Sequence, residues 1–406
     1  MLSRFIAIGV NQGDAFFLQR NGFTILVDGG RSSSKFPQLF QEVTNCIGVN
    51  VLVCTHNDAD HANGVLFFLK AGLLCEEVWL PASWADRLED MLLRPEDFVC
   101  ELVEEICNLD KKLNIKELKK LELRNSSLLE YIGDRYASEQ RSDFESEKKN
   151  DKRDYEEKNI NRSIKLAIEK GRDIEYLWSW RCSYLFYKYR CLQKFLLHFF
   201  GLPSIHHAEL LAEALAAGER ICQIAIAAFH RGCRIRWFAY NSTYASGGLP
   251  GYLVPVNACE VVTIKPRKWD ALKFLALTTS NKQSLVFFSP PSKEHPGVLF
   301  TADSDLSFLQ SIWWHSDMIV TAPHHGSESN AYAYKRFWRE TSGKISTIWV
   351  RSDGRFKRRP GPSYLSMPQR YCTLCRNSGY PKQHVQFIGS GGKWQPVPGT
   401  RKCTCV

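Results

Sequence analysis

The sequence predicts an α/β protein in which two strand-forming halves of one domain are separated by a large helical insertion. Three observations carry this. Short apolar runs bounded by turn residues fill 1–82. Charged sequence with helical spacing fills 83–234. Strand-like runs return over 235–355 and give way to a basic, cysteine-containing tail at 356–406.

The elements follow in order. Phe5–Ile8 and Ala15–Leu18 read as strands joined through Asn11-Gln12-Gly13-Asp14. Asn21-Gly22 is a strong hairpin turn, and Phe23–Val27 is the strand beyond it, ending at Asp28-Gly29-Gly30. Val49–Thr55 is a buried strand, Ala62–Lys70 a helix and Val78–Pro81 a short strand. Residues 138–173 are dense in charge and read as an exposed helix or connector. Residues 176–230 carry aromatic and aliphatic side chains at helical spacing, as packed helices do. Strands then follow at Arg234–Ala239, Cys259–Ile264, Ser284–Phe288, Val298–Thr301, Asp317–Thr321 and Ile345–Val350, and no internal repeat is visible.

A 44% hydrophobic share lets 406 residues bury a sizeable core, so most Trp and Phe belong there. The start of the chain lacks a signal-peptide pattern, and no apolar run reaches transmembrane length. The expected setting is the cytoplasm, away from membranes. There the fourteen cysteines are not a disulfide framework. Cys46, Cys54, Cys107, Cys222 and Cys233 read as small buried hydrophobes. The net charge of +10 is concentrated: Arg351–Val406 holds eleven Lys or Arg and one acid, Asp353. Such a segment suits a polyanionic partner as well as a solvated surface.

Chemistry concentrates in Thr55-His56-Asn57-Asp58-Ala59-Asp60-His61, which puts four potential metal ligands directly after a buried strand. Mixed imidazole and carboxylate ligands suit Zn²⁺, Mn²⁺ or Fe²⁺ better than Mg²⁺ or Ca²⁺. Asp303 and the His324-His325 pair also follow strands. Each is weak alone and stronger in this order.

In that order, His-x-Asp-x-Asp-His, a strand-end Asp and His-His-Gly-Ser resemble metallo-β-lactamase-fold hydrolases. The similarity is greatest to the hydrolase domain of the ComEC competence proteins and their soluble relatives. Asn11–Ala15, Leu26–Gly30 and Asn281–Val286 match as well. The resemblance covers roughly 1–82 and 255–355 and leaves the insertion and tail unexplained. It implies an αββα four-layer sandwich with one or two divalent metals at one edge. His56 and Asp58 would hold the first metal and Asp60 and His61 the second, with Asp303 bridging. Either His324 or His325 would complete the second site, and Asp28 would orient the loop. Two positions depart from the pattern. Asp58 stands where a second histidine is usual, and Asn281 where another histidine precedes the Ser-containing strand. Both leave the first position poorer in nitrogen, which favours Mn²⁺ or a single metal. Asp58 is also a candidate base.

A divalent metal lowers the pKa of a water it holds, and Asp58, Asp60 or His61 would move the proton. Asn281, Ser327, Ser329, Asn330, Arg351 and Arg355 are candidate substrate contacts, followed by Lys357, Arg358 and Arg359. Tyr364, Tyr371 and Trp394 suit the core, with base stacking as the alternative. Together these features point to a phosphodiesterase, and within that class to a nuclease. A helical insertion of this size suggests partner proteins, for example in bacterial anti-phage defence. Two rivals stand beside it: a small-molecule hydrolase for a lactone, thioester or cyclic nucleotide, and a non-catalytic subunit binding nucleic acid or a partner. Finally, Cys372-Thr373-Leu374-Cys375 has zinc-knuckle spacing. With Cys403 and Cys405 it could hold a structural Zn²⁺; free thiols are the alternative.

Overall fold

A computed structural model describes residues 3–31, 34–109, 127–143, 157–171, 198, 200–354, 356, 358–376, 379 and 381–406. In chain order the elements begin β1 (Ser3–Ala7), β2 (Phe16–Arg20), β3 (Phe23–Val27), α1 (Phe36–Thr44), β4 (Gly48–Val53), α2 (Ala59–Lys70) and β5 (Leu74–Pro81). Next come α3 (Ala85–Leu93), α4 (Pro95–Cys107), α5 (Leu128–Asp143), β6 (Lys158–Asn159), α6 (Ile160–Lys170) and α7 (Ile205–His230). They continue with β7 (Arg234–Tyr240), β8 (Val254–Pro255), β9 (Ala258–Val261), β10 (Thr263–Ile264), α8 (Ala271–Thr278), β11 (Phe287–Ser289), β12 (Val298–Phe300) and β13 (Ile319–Thr321). The last are α9 (Ala331–Thr341), β14 (Ile348–Arg351), α10 (Pro362–Leu365), β15 (Gln369–Cys372), β16 (Val385–Ser390) and β17 (Lys393–Pro396).

The chain divides into two compact units. The first comprises Met1–Pro81, Ala227–Val261 and Ser284–Val406. It holds a nine-stranded sheet of order β17-β16-β1-β2-β3-β4-β5-β7-β9 and a six-stranded sheet of order β15-β14-β13-β12-β11-β8. β3, β4, β5 and β7 run parallel, as do β12 to β15. Alternate residues of both sheets share one core. Phe5, Phe16, Val27, Val53 and Trp79 from the first meet Phe287, Phe300, Ile319 and Val350 from the second. Phe16 and Phe300 lie 6.3 Å apart and Trp79 and Phe287 5.5 Å apart, ring centre to ring centre. The opposite faces carry helices. Phe17 of β2 contacts Phe40 of α1, which contacts Phe68 of α2. Tyr334 and Phe337 of α9 pack on Trp349 of β14.

The second unit, Ala82–Ile226 with Val262–Gln283, is mainly helical, with α5 packed along α8 and α3 along α6. Its limits differ from those expected. The run expected as one strand over 259–264 breaks at the exposed Val262. β9 stays in the large sheet while β10 pairs with β6. Thus 262–283 leaves the first unit, taking Asn281 with it. The expected tail at 356–406 is instead integral: β15 edges the six-stranded sheet, and β16 pairs with β1. Tyr364, Tyr371 and Trp394 are buried, so base stacking is excluded for them. Parts of the charged 138–173 stretch and of 176–230 lie outside the described residues. Among the described residues no helix is long and apolar enough to cross a membrane.

Candidate metal centre

In parallel sheets, loops at the carboxyl ends of strands gather on one edge, where ligands bind. Here both sheets obey this rule. Asp28 follows β3, His56 follows β4, Asp303 follows β12, and His324-His325 follow β13. Asp28, Ala302, His324 and His325 all adopt positive φ, between 46° and 58°. Non-glycine residues seldom do so, and such strain concentrates at functional sites.

Asp28 organises the first loop. Its carboxylate, buried, accepts from Thr55 N at 2.9 Å and Thr55 Oγ1 at 2.7 Å, and meets His61 Nδ1 at 2.8 Å. Thr55 Oγ1 also lies 3.0 Å from His56 Nδ1. Asp58 occupies the N-cap of α2 without making a capping hydrogen bond, and its side chain is 16% exposed. α2 can sit this close to β3 because Gly64 meets Gly29: a Cβ on Gly64 would fall 2.0 Å from the Gly29 carbonyl oxygen.

Asp303 joins the halves of the site. Its Oδ1 lies 3.1 Å from His61 Nε2 and 3.6 Å from His325 Nε2. Its Oδ2 lies 3.9 Å from His56 Nε2 and 3.8 Å from His324 Nε2. One donor set is therefore Asp14, His61, Asp303 and His325, and another is His56, Asp58 and Asp303. Asp60 Oδ2 is 3.5 Å from His325 Nε2, on the first side.

The structure thus distinguishes the two neighbouring histidines. His325 is fully buried, its Nδ1 3.0 Å from Asp14 Oδ1 and 3.1 Å from Ser352 O. His324 faces the His56 side, with Nδ1 3.3 Å from both Asn330 Oδ1 and Ser329 Oγ. In sequence Asp14 is visible only as part of the Asn11–Ala15 motif. Its partner is 311 residues away, so its role was not legible there. Gly13 admits this loop: a Cβ there would overlap the Asp60 carbonyl oxygen.

The buried Nε2 atoms of His56, His61 and His325, with Asp303 Oδ1, lack a well-aligned hydrogen-bond partner. Isolated orphans of this kind are costly. Five carboxylates surround four imidazoles, which favours positive charge between them. Burial, aided by the neighbouring His61, pushes His56 down to about 3 and so keeps its ring neutral. Burial raises the Asp14 carboxyl to about 6 despite His325 beside it. Burial opposes ionisation of Asp303, yet the surrounding histidines hold it well below the usual carboxylate range. The donor chemistry, burial and convergence fit a divalent cation on either side of Asp303.

Several expected substrate contacts are placed otherwise. Arg351 is buried, and its guanidinium donates to His325 O, Leu374 O, Gly354 O and Asp353. With its donors turned inward it is unavailable to substrate. Asn330 is buried and donates to Asp303 O at 2.8 Å, holding the ligand loop rather than a ligand. Asn281, in the second unit, donates to Glu130 at 2.7 Å. Arg355 and Lys357 lie outside the described residues. Ser327 and Ser329 do lie beside His324, with hydroxyls 2.9 Å apart. Arg359 is near enough for its charge to lower the His324 pKa, although burial contributes more. Four thiols converge elsewhere in this unit, those of Cys372, Cys375, Cys403 and Cys405.

Residues 8–75 match the model of the Metallo-beta-lactamase superfamily. The matched stretch contains Asp14, Asp28, His56, Asp58, Asp60 and His61, and the mixed α/β architecture is consistent with that fold. Members of this superfamily are mostly metal-dependent hydrolases, so the match suggests that class. No curated protein matches the chain.

Proposed function

We propose that the first unit is an αββα hydrolase that holds two divalent cations, Zn²⁺ or Mn²⁺, and cleaves a phosphodiester. The single observation behind this is the division of Asp303: one oxygen faces His61 and His325, the other His56 and His324. His61, His325 and Asp60 would hold one cation, and His56, His324 and Asp58 the other. His324 would supply the nitrogen that Asp58 and Asn281 withhold in sequence. Bound there, the cations supply Lewis acidity and a nucleophile from water near neutral pH.

The chain's own residues do the rest. Asp28 and Asp14 engage the Nδ1 atoms of His61 and His325, which directs both Nε2 atoms inward. Asp58, Asp60 or His61 would take a proton from the attacking water, both carboxylates having side chains 16% exposed. Ser327 and Ser329 would bind and orient the anionic group beside His324. The ComEC-like motifs and the basic C-terminal segment favour a nucleic acid substrate and an assignment as nuclease. The same resemblance makes a role with partner proteins in anti-phage defence our proposal for its setting.

The deciding experiment incubates the full chain with labelled single- and double-stranded DNA and RNA in Mn²⁺, Zn²⁺ or Mg²⁺. Asp60→Ala and His61→Ala variants run alongside. Metal-dependent cleavage abolished by both substitutions is expected; its absence removes the nuclease assignment. The burial of Arg351, Tyr364, Tyr371 and Trp394 favours a second reading, a smaller substrate such as a cyclic nucleotide or lactone. Turnover of such a compound without cleavage of polymers would select it.

A further inference from the structure

Cys372 is the last residue of β15 and Cys375 lies three residues on. The end of the chain returns to them. Cys403 N donates to Arg370 O at 2.8 Å, and Lys402 bridges Tyr371. One sulfur from each of Cys372, Cys375, Cys403 and Cys405 then lies within 4.8 Å of the others. Cys372, Cys375 and Cys405 are buried. The Cys372 and Cys375 sulfurs are 3.2 Å apart, within hydrogen-bond reach and not joined in a disulfide. Arg376 N donates to Cys405 Sγ at 3.1 Å, an amide-to-sulfur contact of the kind that supports a thiolate ligand. Four converging thiols suit a closed tetrahedral Zn²⁺ site, which has no open position for chemistry.

This cluster is tied to the histidine loop through one side chain. Arg351 pairs with Cys372 in the β14–β15 ladder, and Thr373 N donates to Arg351 O at 3.0 Å. The Arg351 guanidinium spans from Leu374 O, between the first two cysteines, to His325 O at 2.7 Å. We propose that Cys372, Cys375, Cys403 and Cys405 bind one structural Zn²⁺, and that this knot fixes the His325 loop through Arg351. The tie to His325 deepens the hydrolase reading and rests on it; the thiolate site does not.

The tests use the full chain. A mercurial reagent titrated into native protein is expected to release one Zn²⁺ equivalent as the thiols are modified. Cobalt-substituted protein is expected to show thiolate-to-metal charge-transfer absorption. Cys403→Ser/Cys405→Ser should lose both signals, while His61→Ala retains them. If native thiols react freely and release no zinc, the knot is overturned, and this result needs no variant to fold. For the tie, Arg351→Lys should keep the charge-transfer band yet bind metal at the histidine–carboxylate centre roughly 10–100-fold more weakly. Unchanged affinity there overturns the tie. Failure of His61→Ala to alter metal binding would instead count against the hydrolase centre, leaving the knot standing.

Discussion

Replacing Asp28 by Asn tests whether an outer carboxylate controls the centre. Asp28 Oδ1 accepts from Thr55 N; Oδ2 accepts from Thr55 Oγ1 and faces His61 Nδ1. An amide must put its NH₂ at one of these places. At the Oδ1 position it opposes the buried Thr55 N–H, and an unsatisfied buried donor costs about 1–3 kcal/mol. At the Oδ2 position it opposes His61 Nδ1–H and forces the other tautomer. His61 Nε2 would then carry a hydrogen toward Asp303 instead of a lone pair. In the second orientation metal affinity should fall roughly 10–100-fold, the range for lost outer partners of a ligand histidine; in the first the loss falls on stability. Competition titration with a chromophoric zinc chelator reads the affinity, and a thermal melt without added metal reads stability. Affinity and stability both equal to wild type would refute the proposed control by Asp28.

Three further outcomes are expected. Trp79→Ala should cost about 3–5 kcal/mol in chemical denaturation, because a fully buried indole between the sheets leaves a cavity. A loss near zero would contradict the shared core. Gly64→Ala should destabilise, although alanine favours an isolated helix by roughly 0.5–1 kcal/mol, because its methyl overlaps the Gly29 backbone; a melting temperature above wild type would oppose this. In the second unit, burial raises the Asp86 carboxyl to about 6 from 3.8. Its ionised form therefore weakens the fold: the penalty is absent below pH 3.8, grows to about pH 6 and is constant above. Asp86→Asn should then gain roughly 1–3 kcal/mol at pH 7 and nothing at pH 3.5, and a gain independent of pH would count against it.

The strand order along the first unit was legible because its runs are apolar and bounded by turns. Val49–Thr55 became β4 and its following residues, and Asn21-Gly22 became the β2–β3 hairpin. The segment over 74–77 was not read as strand because Glu76 and Glu77 interrupt the apolar pattern. Glu77 is half-buried and pairs with Arg236 at 3.0 Å, a contact supplied from 159 residues away. Helix α1 was also unread, although its Phe36 and Phe40 anchor it to the sheet. For the site, His56, Asp60 and His61 are local and could be found as a cluster. Distinguishing His324 from His325 needed the left-handed turn that sends adjacent rings in different directions. Arg351 misled because a cation after a strand reads as surface until its acceptors, His325 O and Leu374 O, are in place.

The pairing of β1 with β16 has a consequence for synthesis. Strand β1 must wait for residues 385–389 before its second edge is covered. Asp303 and both histidines of the 324–325 pair also emerge long after the 56–61 turn. A nascent chain therefore holds half a ligand shell beside an open sheet edge for most of its translation. The candidate metal centre can assemble only after residues 324–325 have emerged, and factors that shield exposed strand edges should influence its yield.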